Sequence, residues 1–160
     1  MIPLPEKEYP YVINPKRAPG NPHNVQGSTF LPEGWLYLSA EMKAEFDKCG
    51  GYGNLIIVDG EVTGFVPDAE NPVAIFQGLS EQSEIITKAR DALCNDDYKI
   101  IKAYEASISG APAPYNMDEL TEKRNKLREA INTAEAATAK LQQQLQEYYQ
   151  RANANPEAYK

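Results

Sequence analysis

The residues that most often carry chemistry are scarce in this chain. Its 160 residues include one histidine, one tryptophan and two cysteines. Cys49 and Cys94 are far apart with no CxxC spacing, which excludes a cysteine zinc site and a disulfide framework as organising principles. Free thiols suit a reducing compartment. His23 lies between Pro22 and Asn24, where a lone histidine is expected to face solvent or make a local hydrogen bond. No HExxH, Ser-His-Asp or Cys-His-Asn order can be assembled around it. Basic residues are also in deficit, 16 against 23 acidic, for a net charge of −7. Such a chain gains nothing from counterion release on nucleic acid, and nothing from an anionic membrane surface. No apolar run approaches the roughly 20 residues of a membrane-spanning helix. Residues Met1 to Pro5 carry no basic region followed by an apolar stretch, so no secretory leader is expected.

The remaining chemical motifs are weak. Gly50-Gly51-Tyr52-Gly53 is rich in glycine, but no Lys-Ser or Lys-Thr follows, and the next residues begin a strand where a phosphate cradle needs a helix. It is expected to stop a helix and make a turn. Asp96 and Asp97 are adjacent, so on a helix they face apart. No catalytic, cofactor-binding or metal-ligating residue is expected, and the chain is predicted not to be an enzyme.

What the sequence has is organisation. Residues 1–34 contain Pro3, Pro5, Pro10, Pro15, Pro19, Pro22 and Pro32. Proline removes a backbone donor and biases its predecessor towards extended conformations. This stretch is expected to be neither helix nor central strand, but an extended arm. Its Tyr9, Tyr11, Val12, Ile13 and Phe30 imply that it lies against its own domain or a partner. Residues 35–76 are expected to form a small α+β domain. Trp35 to Leu38 is predicted as a strand, and Ser39 as the cap of a short helix bearing Met42 and Phe46 on one face. Two β-branched runs flank Asp59-Gly60, a strong type I′ hairpin signal, and Pro67 ends the second strand.

Residues 80–155 are expected to be helical. A first helix is predicted over 80–109, capped by Ser80, carrying Ile85, Ile86, Ala89, Ala92 and Leu93, and interrupted or recapped at Asn95-Asp96. Its second segment is expected to bury Ile100, Ile101, Tyr104 and Ile108. Tyr98, Tyr104 and Tyr115 are expected to complete a small core. The clearest element starts after Asn116, which with Glu119 resembles a capping box, and meets no Gly or Pro until Pro156. Leu120, Leu127, Ala134, Leu141 and Tyr148 recur every seven residues, and Ile131, Thr138 and Leu145 form a second line, interrupted by Arg124 and Thr138. These are the two seams of a heptad repeat. Thirty-odd helical residues extend about 50 Å, so part of the helix must pair with another chain or fold back on 80–109. The fold class is thus α+β: a Pro-rich extended N-terminal arm, a small β-hairpin/helix domain, and a C-terminal helical hairpin ending in a long heptad-patterned helix. Leu120, Leu127, Ile131, Leu141, Leu145, Tyr148 and Tyr149 are the candidate partner-binding residues, tyrosine being favoured at interfaces.

The stretch Lys88 to Gly110 resembles a segment common in phage tail proteins. It carries Arg90-Asp91, Leu93, Asp97-Tyr98, Ile101-Lys102 and Glu105 in that family's order. Pro114-Tyr115, Arg124, Arg128 and Ile131-Asn132 are similar to its ending. Upstream, Leu31 to Trp35 and Asp59-Gly60-Glu61-Val62-Thr63 look like the small domain of the tail fibre assembly proteins of phages and prophages. The resemblance covers residues 30–132, and the Pro-rich arm and Gln142-Gln143-Gln144 depart from it. It implies a tail fibre assembly chaperone or a minor tail component, without catalytic residues, that binds a fibre or other tail protein. It also implies a place in the host cytoplasm during assembly or in the virion tail. With the heptad seam, a homo-dimer or trimer through the C-terminal helix is expected. The alternative is a phage-encoded inhibitor of a bacterial defence system, acting by charge mimicry.

Overall fold

A computed structural model describes residues 2–3 and 11–159; Tyr9, Pro5 and Pro10 of the predicted arm lie outside the described residues. The chain is α+β, with small antiparallel sheets and two long helices packed together. It divides into two compact units: residues up to Ala74 with the chain from Leu145 on, and Ile75–Gln144.

In the first unit the local signals of the sequence act as chemistry requires. Ser39 Oγ accepts from the Met42 amide at 3.2 Å and opens helix α1, Ala40–Lys48. That cap satisfies one orphan donor of the first turn. Strands β6 (Gly53–Val58) and β7 (Glu61–Pro67) form a hairpin on Asp59 and Gly60, whose φ angles are 50° and 84°. Two successive positive φ values are the type I′ signature that Asp-Gly favours. Between Ile56 and Ile57 the register shifts by a bulge.

Among the described residues the N-terminal stretch supplies strands. Strands β1 (Ile2–Pro3), β2 (Tyr11–Ile13), β3 (Val25–Gly27), β4 (Phe30–Leu31) and β5 (Leu36–Leu38) come from it and the residues just after it. β1 pairs with β4, and a three-stranded antiparallel sheet has the order β3-β2-β5. β2 is therefore a central strand, which corrects the expectation drawn from proline content. The physical reason is local. Proline disables its own amide and restrains its predecessor, but Tyr11, Val12 and Ile13 form a proline-free window with all three donors intact. Val12 and Ile13 are fully buried. Ile13, Leu38 and Phe46 form the centre of the core, with Tyr11, Val25, Leu36, Met42, Leu55, Val62 and Phe65 packed around them. The Phe46 and Phe65 rings sit 5.0 Å apart, tilted at 59°.

The end of the chain completes this unit. Tyr148 is 3% exposed, edge-on to Tyr52 with ring centroids 6.4 Å apart. Ala152 is fully buried, and a Cβ on Gly20 would lie 2.6 Å from the Ala152 Cβ. Only glycine lets the loop backbone approach that closely. Arg151 pairs with Glu70 at 3.3 Å.

The second unit is a helical hairpin. Helix α2 runs without interruption over Val73–Ser109, and helix α3 over Met117–Ala154. α2 starts seven residues before Ser80 because Asn71 Oδ1 already accepts from the Val73 amide at 3.2 Å, with Pro72 between them. Nor do Asn95 and Asp96 break it: Asp96 points inward and is held by Lys99 at 3.0 Å and Lys123 at 2.7 Å. Gly110 (φ 71°) and the following prolines end α2, and Asn116 Oδ1 accepts from the Asp118 and Glu119 amides at the start of α3. The inward line of α2 is Ala89, Asp96 and Ala103, spaced by seven. These small or paired residues let the helices come close. Arg124 donates to the Leu93 carbonyl oxygen at 2.9 Å and to Asp97 at 2.8 Å, and a Cβ on Gly78 would lie 3.0 Å from Leu141 Cδ1.

Candidate partner-binding surfaces

The polar groups buried in the first unit brace its loops. Arg17 forms a two-pronged pair with Asp68, at 2.9 and 2.7 Å, and also reaches the Asn21 carbonyl oxygen at 2.9 Å and Asn54 at 3.3 Å. The two side chains are 3% and 2% exposed. This fork ties the Pro-rich loop to β6 and to the end of β7, with the geometry that makes arginine the preferred buried partner of a carboxylate. His23 is 7% exposed, so of the two expectations, facing solvent or making a hydrogen bond, it meets the second. Its Nδ1 lies 2.9 Å from the Asn14 carbonyl oxygen and its Nε2 3.1 Å from that of Gly53. Burial holds its imidazole below the usual range, against the two carbonyls, which favour the charged ring. A neutral ring has one N–H, so only one carbonyl receives a donor at a time.

Other shifted groups are likewise structural. Burial pushes the Cys49 thiol up, away from reactivity. Burial, reinforced by Tyr149, pushes the Tyr52 hydroxyl to about 12. Hydrogen bonds from Lys123 and then Lys99 hold the Asp96 carboxyl below its ordinary range. That carboxyl is covered by lysine side chains that are themselves half-exposed, so solvent lies close behind it. Among the described residues no three histidine, cysteine or carboxylate side chains converge as metal ligands, and no helix is long and apolar enough to cross a membrane.

The residues singled out as a partner seam face into the chain. Leu120 is 6% exposed, and Leu127, Ile131 and Leu141 are half-buried on the side of α3 that meets α2. Leu145 is half-buried too, and Tyr148 lies inside the first unit rather than on an accessible surface. Tyr149 is half-buried, its ring edge-on to Tyr148 at 5.4 Å. The long helix folds back on the preceding one.

Two other surfaces are apolar and open, one in each unit. On the hairpin, Ile56, Ile57, Val58 and Val66 are 44–52% exposed. Among the described strands β6 and β7 pair only with each other, so the hairpin presents unpaired backbone groups beside these side chains. On α2, Tyr98, Ile101, Tyr104 and Ile108 are 55–70% exposed. This corrects the expectation that Ile101, Tyr104 and Ile108 are buried and that Tyr98 and Tyr104 complete a core. The inward line was already visible in the sequence as Ala89, Asp96 and Ala103. Alanine and aspartate are weaker core signals than isoleucine and tyrosine.

Compared with protein-family models, with curated proteins and with solved structures, the chain matches none.

Proposed function

We propose that this chain is a tail-fibre-associated protein of a phage or prophage, acting by binding another protein chain and not as an enzyme. It serves as a fibre assembly chaperone or a minor tail component, in the host cytoplasm during assembly or in the virion tail. The heptad pattern of α3 then serves the closure of the helical hairpin. No cofactor takes part.

The observation that carries the binding surface is the β6–β7 hairpin. An exposed strand with apolar side chains and free backbone donors is a template for pairing, which natural proteins normally blunt with charge or proline. Here Ile56-Ile57-Val58 carries neither charge nor proline, and the extra residue of the bulge, Thr63, is on the other strand. A β-rich fibre segment added at this edge would gain main-chain hydrogen bonds along the strand and bury the alternate side chains. The resemblance to the tail fibre assembly proteins gives the class of partner. Leu93, Asp97 and Arg124 join α2 to α3, which accounts for their presence as structure.

The test is co-expression with the tail-fibre protein encoded in the same genome. The fibre is expected to co-purify with this chain and to reach its mature oligomer only in its presence. Ile57→Lys, at an exposed position, is expected to abolish both while leaving the circular dichroism unchanged. A fibre that matures equally well without the chain contradicts the proposal.

A further inference from the structure

We infer that the last four turns of α2 form a self-association face, and that a second copy of this chain covers it in the antiparallel sense. This inference concerns the second unit and stands apart from the tail-fibre reading.

α2 carries two lines of heptad spacing. The inward line is already occupied by α3. The outward line is Cys94, Tyr98, Ile101, Glu105 and Ile108, with steps of four, three, four and three. Upstream, the same line reads Ser80, Glu84, Thr87 and Asp91. Along this line the helix is polar in its first half and largely apolar in its second, while Phe76 and Ile85, off the line, are 39% and 42% exposed. Uniform solvent exposure along the helix does not account for that switch. Apolar residues at alternating three and four spacing are what a second helix needs to interdigitate.

Charge decides between orientations. In a parallel pair Glu105 would face Glu105 of the partner, and like charges in the seam are repulsive. In an antiparallel pair Tyr98 lies against Ile108 of the other copy. Ile101 then lies beside Glu105, with Lys102 one residue away. Lys102 binds Glu105 of its own chain at 2.8 Å and lies 5.7 Å from the Tyr98 ring centroid, and both partners of the ion pair are half-exposed. The lysine can therefore turn to the opposite glutamate at little cost. Area agrees with a pair of identical faces. Tyr98, Ile101 and Ile108 on the line, with Tyr104 beside it, are 55–70% exposed and offer at most on the order of 500 Å² per copy. Two copies together then reach roughly 1,000 Å², the lower bound of specific interfaces. The pair is accordingly expected to be weak and concentration-dependent.

The experiment is the solution mass of the purified full chain by light scattering across micromolar to millimolar concentration. The mass is expected to rise from 17.8 kDa towards twice that value. Ile101→Asp, at a position more than half exposed, is expected to return it to the monomer, a twofold drop, with unchanged helicity. Glu105→Lys is expected to weaken the dimer, and adding Lys102→Glu to restore it. A monomer throughout overturns the inference, as does a dimer that survives Ile101→Asp. So does a chain that is monomeric alone and loses a bound fibre protein on Ile101→Asp, which would put a foreign helix on the stripe.

Discussion

Replacing Arg17 with methionine removes one half of a buried ion pair and keeps most of the side-chain volume. Arg17 and Asp68 are 3% and 2% exposed, and three further hydrogen-bonding partners or prongs converge on the guanidinium. Without it the Asp68 carboxylate is left uncompensated in a site solvent does not reach. Breaking one partner of such a pair costs about 3–5 kcal/mol. Total stabilities lie at about 5–15 kcal/mol, so the first unit should lose a large share of its margin. With a slope of roughly 2 kcal/mol per molar urea, the unfolding midpoint is expected to fall by about 2 M. Trp35, the single tryptophan, belongs to this unit, so its fluorescence follows the transition there. Asp68→Leu alone should cost a similar amount, but the double variant less than the sum, because no charge is then stranded. A midpoint for Arg17→Met within a few tenths molar of wild type would show that the fork contributes nothing net, and would refute the reasoning.

Three further outcomes follow from the same structure. Burial lowers the His23 pKa below its unfolded value of 6.5. The unfolded chain therefore binds more protons just below that pH, and the contribution is fully present above 6.5 and lost as pH falls towards the folded value. Urea midpoints should thus decline on acidification from that point, and His23→Gln should lack this limb; His23 being the only histidine, the assignment is unambiguous. Gly20→Ala places a Cβ 2.6 Å from Ala152 at a φ of +70°. Thermal melting should report a loss of about 2–4 kcal/mol from strain and overpacking together. Leu141→Asp puts a carboxylate against Gly78 in the helical hairpin. Helix ellipticity in urea should show a loss of about 2–4 kcal/mol, whereas an unchanged helical transition would place Leu141 outside the packed seam.

Much of the fold follows from short-range chemistry and is legible as such. Asp59-Gly60, Ser39 and Asn116 act within three residues of themselves, and the structure uses all three as their side chains dictate. Pro156 follows the end of α3 by two residues. What escaped is set at long range. Arg17 and Asp68 are 51 residues apart, and no local pattern announces their fork. His23 reads as a loop residue because its second partner, Gly53, lies 30 residues on. α2 starts just after Asn71-Pro72 and not at the more conspicuous Ser80, because the Asn71 side chain already caps the Val73 amide. The leucines of α3 are the strongest apolar repeat of the sequence, and such a repeat fits an internal neighbour as well as a foreign one. The open faces were harder to see, since isoleucine and tyrosine on α2 look like core until alanine and a paired aspartate are recognised as the inward line.

Amide hydrogen exchange along β6 tests the proposed function most directly. In the isolated chain the outward amides of Ile56 to Val58 should exchange quickly. In the complex with the co-expressed fibre protein they should be strongly protected, while Arg17-braced residues such as Asn54 change little. Equal exchange in the free and bound states would show that this edge takes no partner strand, and would contradict the account.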